Sequence, residues 1–396
     1  MQKFEDQSLP SPTRKLRRLL LVTYEDPWNP VAWSGIPFQI REALERQVET
    51  LSDVGALKPR RSKWEFVRHL AHRRHPIRYP LELASYSQRQ YAHETQQAID
   101  RHNPEAILAI SSPCIIKLAP QSIPIFMVSD APWIAWKETY RQFEHMPLLG
   151  PSFGRREAAA AHKCAGIIYP SKWAIEEGKR LFQVPDEKLH IQPMGANWKP
   201  DLPDAQLHAI IDQRPDHRVD FLYVGKDWPR KGGPLAVEIV LALQRAGISG
   251  AHLHVVGCSP EIDPAARDFV TVHGRLAASD PKQSAHLRAL FLNSHFLLVP
   301  TQAECYGLVF AEAQAFGLPP VSRAVQAVPS IIADGEAGFV LPPGEGAAAY
   351  VKRLIPVIED RSQYRRMAHA ARRRYEEKLN WMAFAAGVVK TIEASL

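Results

Sequence analysis

Two glutamates eight positions apart, Glu304 and Glu312, lie in the segment of the sequence that has the clearest chemical pattern. An apolar run predicts a buried strand that ends at Pro300, and a helix is predicted to begin shortly after it, near Tyr306 and Gly307. The first N–H groups of a helix have no acceptor within the helix, so they form a ready site for an anionic group. The N–H groups at this predicted site are those of Tyr306, Gly307, Leu308 and Val309.

This arrangement suits a nucleotide-diphosphate sugar. The diphosphate would accept hydrogen bonds from the helix N–H groups, and the two carboxylates would accept hydrogen bonds from hydroxyls of the sugar and the ribose. An ordinary solvated helix with two acidic residues near its start explains the pattern equally well, because the helix dipole favours acids there.

A basic loop is the second chemical pattern. A predicted strand ends at Gly225, and the loop that follows carries Lys226, Arg230 and Lys231 before a helix predicted to start near Pro234. Three cations beside glycines that allow a close backbone approach indicate phosphate binding, although the loop lacks the Walker pattern. A solvated basic turn is the alternative interpretation.

Two further predicted strands end in glycine turns, at Gly257 and at Gly274. Either glycine alone is better explained as a structural turn than as part of a binding site.

Continuous apolar runs alternate with amphipathic segments along nearly the whole chain. Such runs are typical of parallel strands covered by helices on both faces. The fold class predicted from this alternation is α/β, with two Rossmann-like, doubly wound domains that face a cleft and bind ligands at the carboxyl ends of their strands. The predicted strands are Leu19–Thr23, Ala106–Ile110, Ile123–Val128, Gly166–Tyr169, Leu189–Pro193, Asp220–Val224, His252–Val256, Phe269–Val272, His295–Val299, Pro319–Ser322 and Gly338–Leu341.

Apolar residues at helical spacing predict helices in the segments between the strands. Ile40, Ala43, Leu44, Val48 and Leu51 recur at this spacing and predict one helix through all five positions. The join between the two domains is expected within residues 198–214, which are rich in proline and aspartate.

Composition excludes several classes of protein. The chain has 396 residues, a net charge of +7 and four cysteines without a C-x-x-C pair, so a disulfide framework and a structural zinc site are not expected. No apolar run approaches the roughly 18 residues of a membrane span, and no targeting segment is recognised. We therefore expect a reduced, cytoplasmic environment.

Six motifs in order give the sequence a family resemblance. The chain resembles the retaining glycosyltransferases of family 4 (group 1), which have the two-lobed GT-B fold. The resemblance runs from about residue 166 to the C-terminus. Its motifs are Y-P-S-K-W at 169–173, H-I-Q-P-M-G-A-N at 190–197, the lysine loop, H-G-R-L at 273–276, E-C-Y-G-L-V-F-A-E at 304–312, and A-F-G-L-P-P-V at 315–321 with the glycine-rich stretch at 332–344.

The resemblance implies roles for individual residues. Glu304 matches the glutamate that contacts the donor sugar, Glu312 matches the one that holds the ribose hydroxyls, and Lys231 matches the lysine that neutralises the diphosphate. Lys226 stands where the family usually has arginine, which loses a bidentate contact that Arg230 would have to supply.

The resemblance extends to three further positions. Arg275, after Gly274, lies in the loop that frames the base, and Ser34 with Gly35 matches the glycine loop that closes over the donor. Asp130 stands near the position where many relatives have a histidine close to the acceptor, and it is either an acceptor-positioning residue or a buried capping aspartate.

The resemblance also implies the domain organisation and the absence of a metal. Residues 1–205 would form the acceptor-side domain, 206–378 the nucleotide-sugar donor domain, and 379–396 a helix that crosses back to the first domain. The family needs no metal and no cofactor beyond its nucleotide-sugar substrate, such as a UDP- or GDP-sugar, and the sequence has no D-x-D motif.

Residues 58–78 form a basic segment. It contains eight cations and one acid, interleaved with apolar side chains as in a helix that lies on an anionic surface. The hypothesis is that this segment docks the enzyme on anionic lipid near its acceptor, and the alternative is a solvated excursion between strands.

The function expected from the sequence is sugar transfer from a nucleotide-diphosphate sugar to a sugar, polysaccharide or lipid-linked acceptor. The setting would be the synthesis of cell-surface polysaccharide, lipopolysaccharide or glycolipid, in the cytoplasm or at the inner face of the membrane. A nucleotide-sugar epimerase or a phosphorylase of the same fold is one alternative. A non-enzymatic basic protein that binds nucleic acid or membrane is the other, but it leaves the ordered motifs unexplained, and no nucleic acid partner is expected.

Overall fold

The structure, a computed structural model, describes residues 15–57, 83–140, 150–277 and 279–396. These residues form two parallel sheets of six strands each. The first sheet has the order β2-β1-β3-β4-β5-β6. Its strands are β1 (Arg18–Thr23), β2 (Thr50–Val54), β3 (Ala106–Ile110), β4 (Ile125–Val128), β5 (Gly166–Tyr169) and β6 (Leu189–Ile191).

The second sheet has the order β12-β11-β10-β7-β8-β9, and all its strand pairs are parallel. Its strands are β7 (Val219–Val224), β8 (Ala251–Val256), β9 (Val270–Gly274), β10 (Phe296–Leu298), β11 (Pro320–Arg323) and β12 (Phe339–Leu341). The chain therefore passes from the first sheet to the second between residues 192 and 218.

Helices connect the strands and cover the sheets. The helices in the described part of the chain are α1 (Ile36–Glu45), α2 (Ser85–His102), α3 (Trp133–Thr139), α4 (Pro151–Lys163), α5 (Lys172–Phe182), α6 (Asp204–Asp212), α7 (Gly233–Arg245), α8 (Pro281–Asn293), α9 (Leu308–Ala315), α10 (Val328–Ile331), α11 (Ala347–Glu359), α12 (Arg361–Lys378) and α13 (Trp381–Glu393).

The apolar runs form central strands because they are buried on both faces. Every residue of β3 (sequence A-I-L-A-I) is buried, as is every residue of β4 and β10. Parallel strands with short connections through helices form such doubly covered sheets. The predicted fold class, two doubly wound α/β domains, is confirmed.

The helix predicted through Val48 and Leu51 is wrong in its second half. Helix α1 ends at Glu45, and Leu51 lies in β2, where it pairs with Leu19 of β1. The strand was missed because β2 is the edge of the sheet and mixes apolar with polar residues (T-L-S-D-V) instead of forming a continuous apolar run.

All eleven predicted strands are present, and their ends agree with the prediction to within two residues. The segment predicted as Leu189–Pro193 ends at Ile191, and the one predicted to start at Ile123 starts at Ile125. Strand ends of this kind depend on the last ladder hydrogen bond more than on residue type.

The last helix, α13, lies against the first sheet and its helices. Asn380 caps it by accepting a hydrogen bond from the Ala383 N–H at 2.9 Å. The Gln192 side chain, just after β6, donates to the Ala383 carbonyl at 3.2 Å, and the Leu16 N–H, just before β1, donates to the Glu393 carboxylate at 2.9 Å. The predicted domain bounds at residues 205 and 378 stay predictions.

Within the described ranges, none of the helices combines the length and the apolar character needed to cross a membrane.

Candidate active site

Two loops that follow neighbouring strands form the centre of the candidate site. Strands β7 and β10 are adjacent and parallel, so the loops after them emerge at the same edge of the second sheet. The Gln302 N–H donates to the Arg230 carbonyl at 2.8 Å, and the Arg230 guanidinium donates to the Ala303 carbonyl at 2.8 Å. These reciprocal bonds fix the basic loop to the loop that carries Glu304, the Glu304 loop.

The loops bring Lys231 and Glu304 into direct contact. The Lys231 ammonium donates to Oε2 of Glu304, and the Arg230 guanidinium lies 3.9 Å from the same oxygen. The Arg230 Nε–H also donates to Oδ2 of Asp227 at 3.1 Å. Glu304 is buried, whereas Lys226 is exposed at the start of the loop. Two cations and one buried carboxylate are therefore in contact with one another.

Helix α9 begins immediately beside this carboxylate. Gly307 precedes the helix with φ of +99°, and a Cβ there would lie 2.9 Å from Cγ of Glu304, so the tight approach requires glycine. Leu308 and Val309 are the first two helical residues, whose N–H groups have no acceptor within the helix. The first turn contains no acidic side chain. An anionic group would meet these N–H groups and the two cations together.

Two predicted site residues of this segment contact the linker between the sheets. Tyr306 is buried, and its hydroxyl donates to the Met194 carbonyl at 2.7 Å, so its side chain anchors the linker. Burial raises the pKa of the Glu312 carboxyl to about 7, while a hydrogen bond from the Trp198 N–H and the charge of Lys231 act in the opposite direction. Glu312 thus lies between the linker and the basic loop.

The three predicted glycines pack backbone against backbone at the ends of β7, β8 and β9. The Gly257 N–H donates to the Gly274 carbonyl at 2.8 Å, and the Gly225 N–H donates to the Val256 carbonyl at 2.9 Å. Gly257 has φ of +99°, and a Cβ there would lie 2.8 Å from the Gly225 carbonyl oxygen. Glycine is required there by the turn itself. Arg275 follows on the exposed surface.

Asp130 approaches the same site from the first sheet, in the loop after β4. Burial raises the pKa of its carboxyl to about 6, and the charge of Glu304 adds to the increase. The Ala131 N–H donates to Oδ1 of Asp130 at 2.9 Å. The cap position of α3 belongs to Pro132, so Asp130 is not the cap of that helix. The structure brings the two predicted catalytic acids, Asp130 and Glu304, together across the cleft.

Ser34 and Gly35 lie in a tight turn before α1, both with positive φ. The Asn197 side chain donates to the Ser34 carbonyl, and the Trp381 indole donates to Asn197 at 2.9 Å. This turn is therefore tied to the linker and to α13. These contacts do not join it to the basic loop.

Sequence reasoning missed Tyr140, which lies 165 positions before the residue it contacts. The Cys305 N–H donates to the Tyr140 hydroxyl at 3.2 Å, and the Arg230 guanidinium lies 5.1 Å from the ring centroid. One signal was available in the sequence: Trp133, Trp136 and Tyr140 are spaced three and four positions apart, as on one face of a helix. Sequence reasoning also missed Gln326, whose side chain accepts a hydrogen bond from the Glu304 N–H at 3.1 Å.

The basic segment 58–78 lies outside the described residues. Among the described residues, no group of three or more His, Cys, Asp or Glu side chains is arranged to hold a metal ion.

Comparison with known proteins gives three findings about this architecture. Residues 218–360, which include the basic loop, the Glu304 loop and α9, match the family model of the glycosyl transferases of group 1. D-inositol 3-phosphate glycosyltransferase of Corynebacterium glutamicum is 28% identical over 180 residues. That match covers 43% of this chain and 42% of the relative, so it spans less than half of the relative's length.

Solved structures resemble nearly the whole chain in fold. Sucrose-phosphate synthase of Thermosynechococcus elongatus has a TM-score of 0.64 at 17% identity, over 94% of this chain and 98% of that one. HepE of Anabaena, solved in complex with UDP, has a TM-score of 0.63 at 13% identity, over 94% and 99%. At these identities the likeness shows the fold alone. Residues 218–360 are therefore similar to the glycosyl transferases of group 1, and the two parallel six-stranded sheets form the GT-B fold.

Proposed function

We propose that the chain is a retaining glycosyltransferase of family 4, which moves a sugar from a nucleotide-diphosphate sugar to an acceptor hydroxyl without a metal or a further cofactor. One observation carries the proposal: Lys231, Arg230 and the N-terminus of α9 meet beside the buried carboxylate of Glu304. Cations and terminal N–H groups bind a diphosphate, and the carboxylate accepts hydrogen bonds from sugar hydroxyls.

The ion pair between Lys231 and Glu304 defines how the donor would bind. The diphosphate replaces Glu304 as the partner of Lys231, and its oxygens also accept hydrogen bonds from the N–H groups of Leu308 and Val309. Glu304, released from Lys231, then accepts hydrogen bonds from the donor sugar. Glu312 takes the ribose hydroxyls, and Arg275 flanks the base. The glycine turns and the turn at Ser34 and Gly35 allow the protein backbone to approach the donor phosphates closely.

The proposed chemistry keeps the anomeric configuration. The bond between the sugar C1 and the leaving phosphate oxygen breaks while the acceptor oxygen bonds to C1 on the same face. The leaving diphosphate takes the acceptor proton, so no protein base is needed for proton removal. Asp130 positions the acceptor hydroxyl, because it faces Glu304 from the opposite sheet.

The acceptor is proposed to be a sugar, a polysaccharide or a lipid-linked sugar, in the synthesis of cell-surface polysaccharide, lipopolysaccharide or glycolipid. The name of the Corynebacterium relative supports a polyhydroxylated acceptor, and the UDP bound to HepE supports a uridine nucleotide among the candidate donors. Association with the inner face of a membrane through residues 58–78 belongs to the same proposal.

A binding screen tests the donor class. The protein is melted with UDP, GDP, ADP or dTDP and, in parallel, with the matching nucleoside. A ligand that binds only the folded state raises the melting temperature, so one nucleoside diphosphate should raise it more than its own nucleoside does. If none of the four diphosphates raises the melting temperature above its nucleoside at millimolar concentration, the proposed donor site is wrong.

A further inference from the structure

Tyr140 is fixed to the acceptor-side half of the molecule by an aromatic stack along α3. Its ring lies edge-on to Trp136 with centroids 5.5 Å apart, and Trp136 lies edge-on to Trp133 at 5.6 Å. The Trp133 indole donates to the Ser111 hydroxyl at 2.9 Å, at the end of β3. This chain of contacts holds the phenol firmly on the first half.

The hydroxyl end of the same side chain reaches the second half. It accepts the N–H of Cys305, the residue next to Glu304, at 3.2 Å. The ring lies under the guanidinium of Arg230, 5.1 Å from its centroid. Tyr140 therefore contacts both loops of the donor site, the one with Glu304 and the one with the cations.

The two ends of α3 face one carboxylate. Asp130 precedes the helix and Tyr140 follows it, and seven helical residues span about 10 Å. Burial raises the pKa of the Asp130 carboxyl and the charge of Glu304 adds to the increase, and burial together with the charges of Glu304 and Asp130 raises the pKa of the Tyr140 phenol. The phenol keeps its proton, and its oxygen accepts the Cys305 N–H through a lone pair.

We propose that Tyr140 is a positioning residue that docks the Glu304 loop on the acceptor-side half, so that Glu304 and Asp130 face the same substrate. The inference rests on the proposed function, because it assigns the donor to the second half and the acceptor to the first. Without the hydroxyl, the Cys305 N–H loses its hydrogen-bond partner across the cleft, and Glu304 and Asp130 are no longer held in fixed positions relative to each other. The donor contacts of Lys231 and of α9 stay in place.

Tyr140→Phe tests this with little change elsewhere, because the ring that packs on Trp136 and under Arg230 remains. We expect the kcat for transfer to fall about two- to tenfold, the range of one hydrogen bond. The KM for the donor should stay within about twofold, because the groups that bind the diphosphate are unchanged. The matched control is Tyr86→Phe, which removes an exposed phenol hydroxyl on α2 and should leave both constants unchanged.

A second measurement does not depend on turnover. The Cys305 thiol is buried against Tyr140 and Thr139 across the cleft, so it becomes accessible when the two halves separate. Iodoacetamide alkylation of the native protein, followed by peptide mass spectrometry, should modify Cys305 about two- to tenfold faster in Tyr140→Phe than in the wild type. Cys164, buried in the core of the first half, is the internal control and should react at the same rate in both proteins.

The two readouts separate the inference from the proposed function. Wild-type kinetics and wild-type Cys305 alkylation in Tyr140→Phe would overturn the positioning role. If the wild type turns over no nucleotide-sugar, the proposed function fails, and the alkylation ratio still decides whether Tyr140 holds the halves together. Faster alkylation of both Cys305 and Cys164 would indicate general loosening of the fold, which also contradicts the role.

Discussion

Replacing Lys231 tests the proposal that this site binds the diphosphate of a nucleotide-sugar donor. The side chain is largely buried and pairs with Glu304, and Arg230 lies 3.9 Å from the same carboxylate oxygen. A charge-assisted hydrogen bond contributes about 1.5–3 kcal/mol, which corresponds to a change of about 10- to 150-fold in Kd. Because Arg230 remains in Lys231→Ala and keeps part of the positive charge, we expect the lower end, about tenfold.

Calorimetry on two ligands isolates this contribution. The Kd of the nucleoside diphosphate should rise about tenfold in Lys231→Ala, and the Kd of the matching nucleoside should change little, because the nucleoside lacks the group that Lys231 binds. Lys352→Ala is the charge-matched control, since Lys352 is an exposed cation on α11 and its removal changes the net charge equally.

Two outcomes would contradict this prediction. Equal weakening of the diphosphate and the nucleoside would show that Lys231 supports the fold of the loop, through its pair with Glu304, and does not bind the diphosphate. Equal weakening in Lys352→Ala would show that the effect is general electrostatics.

Three further predictions concern Glu304, Asp130 and the basic segment 58–78. Glu304→Gln should lower kcat more than tenfold, which corresponds to more than about 1.4 kcal/mol in the barrier, and should largely keep nucleotide binding. Steady-state kinetics and calorimetry measure the two effects, and a variant that keeps more than about a tenth of the wild-type kcat would contradict the proposed contact with the sugar. The pKa of Asp130, raised to about 6, places its carboxylate form above that pH, so kcat should increase with pH through about 6 and this limb should vanish in Asp130→Asn; a wild-type limb in the variant assigns it to another group. Residues 58–78 should bind vesicles that contain anionic lipid at low salt, and neutralising Arg60, Arg61, Arg73 and Arg74 should release the protein, since each basic residue near such a surface contributes about 1 kcal/mol; equal co-sedimentation with neutral vesicles, or none with either, contradicts this.

Local signals predicted the fold and the position of Glu304 beside the start of α9. The central strands are continuous apolar runs, and Glu304 and α9 follow such a run directly in sequence, so their proximity is a local property. The edge strand β2 has no such run, because none of its five residues is fully buried, and the helical spacing of Leu51 concealed it.

Contacts between distant segments left no comparable signal. The pair of Lys231 with Glu304 joins residues 73 positions apart, and Tyr140 meets Cys305 across 165 positions. Such contacts depend on the packing of two loops or two sheets, which no local pattern specifies. The aromatic spacing along α3 indicates a helix face, but only the tertiary structure shows that this face ends at the Glu304 loop.

The central claim, transfer with retention from a nucleotide-diphosphate sugar, is tested most directly by proton NMR of the reaction product. The wild type is incubated with an acceptor sugar and the α-linked nucleotide-sugar whose nucleoside diphosphate binds, and the anomeric coupling of the new glycosidic bond is recorded. The account predicts an α-linked product formed in step with release of the nucleoside diphosphate. A β-linked product, or free sugar released at the same rate with and without acceptor, would contradict it.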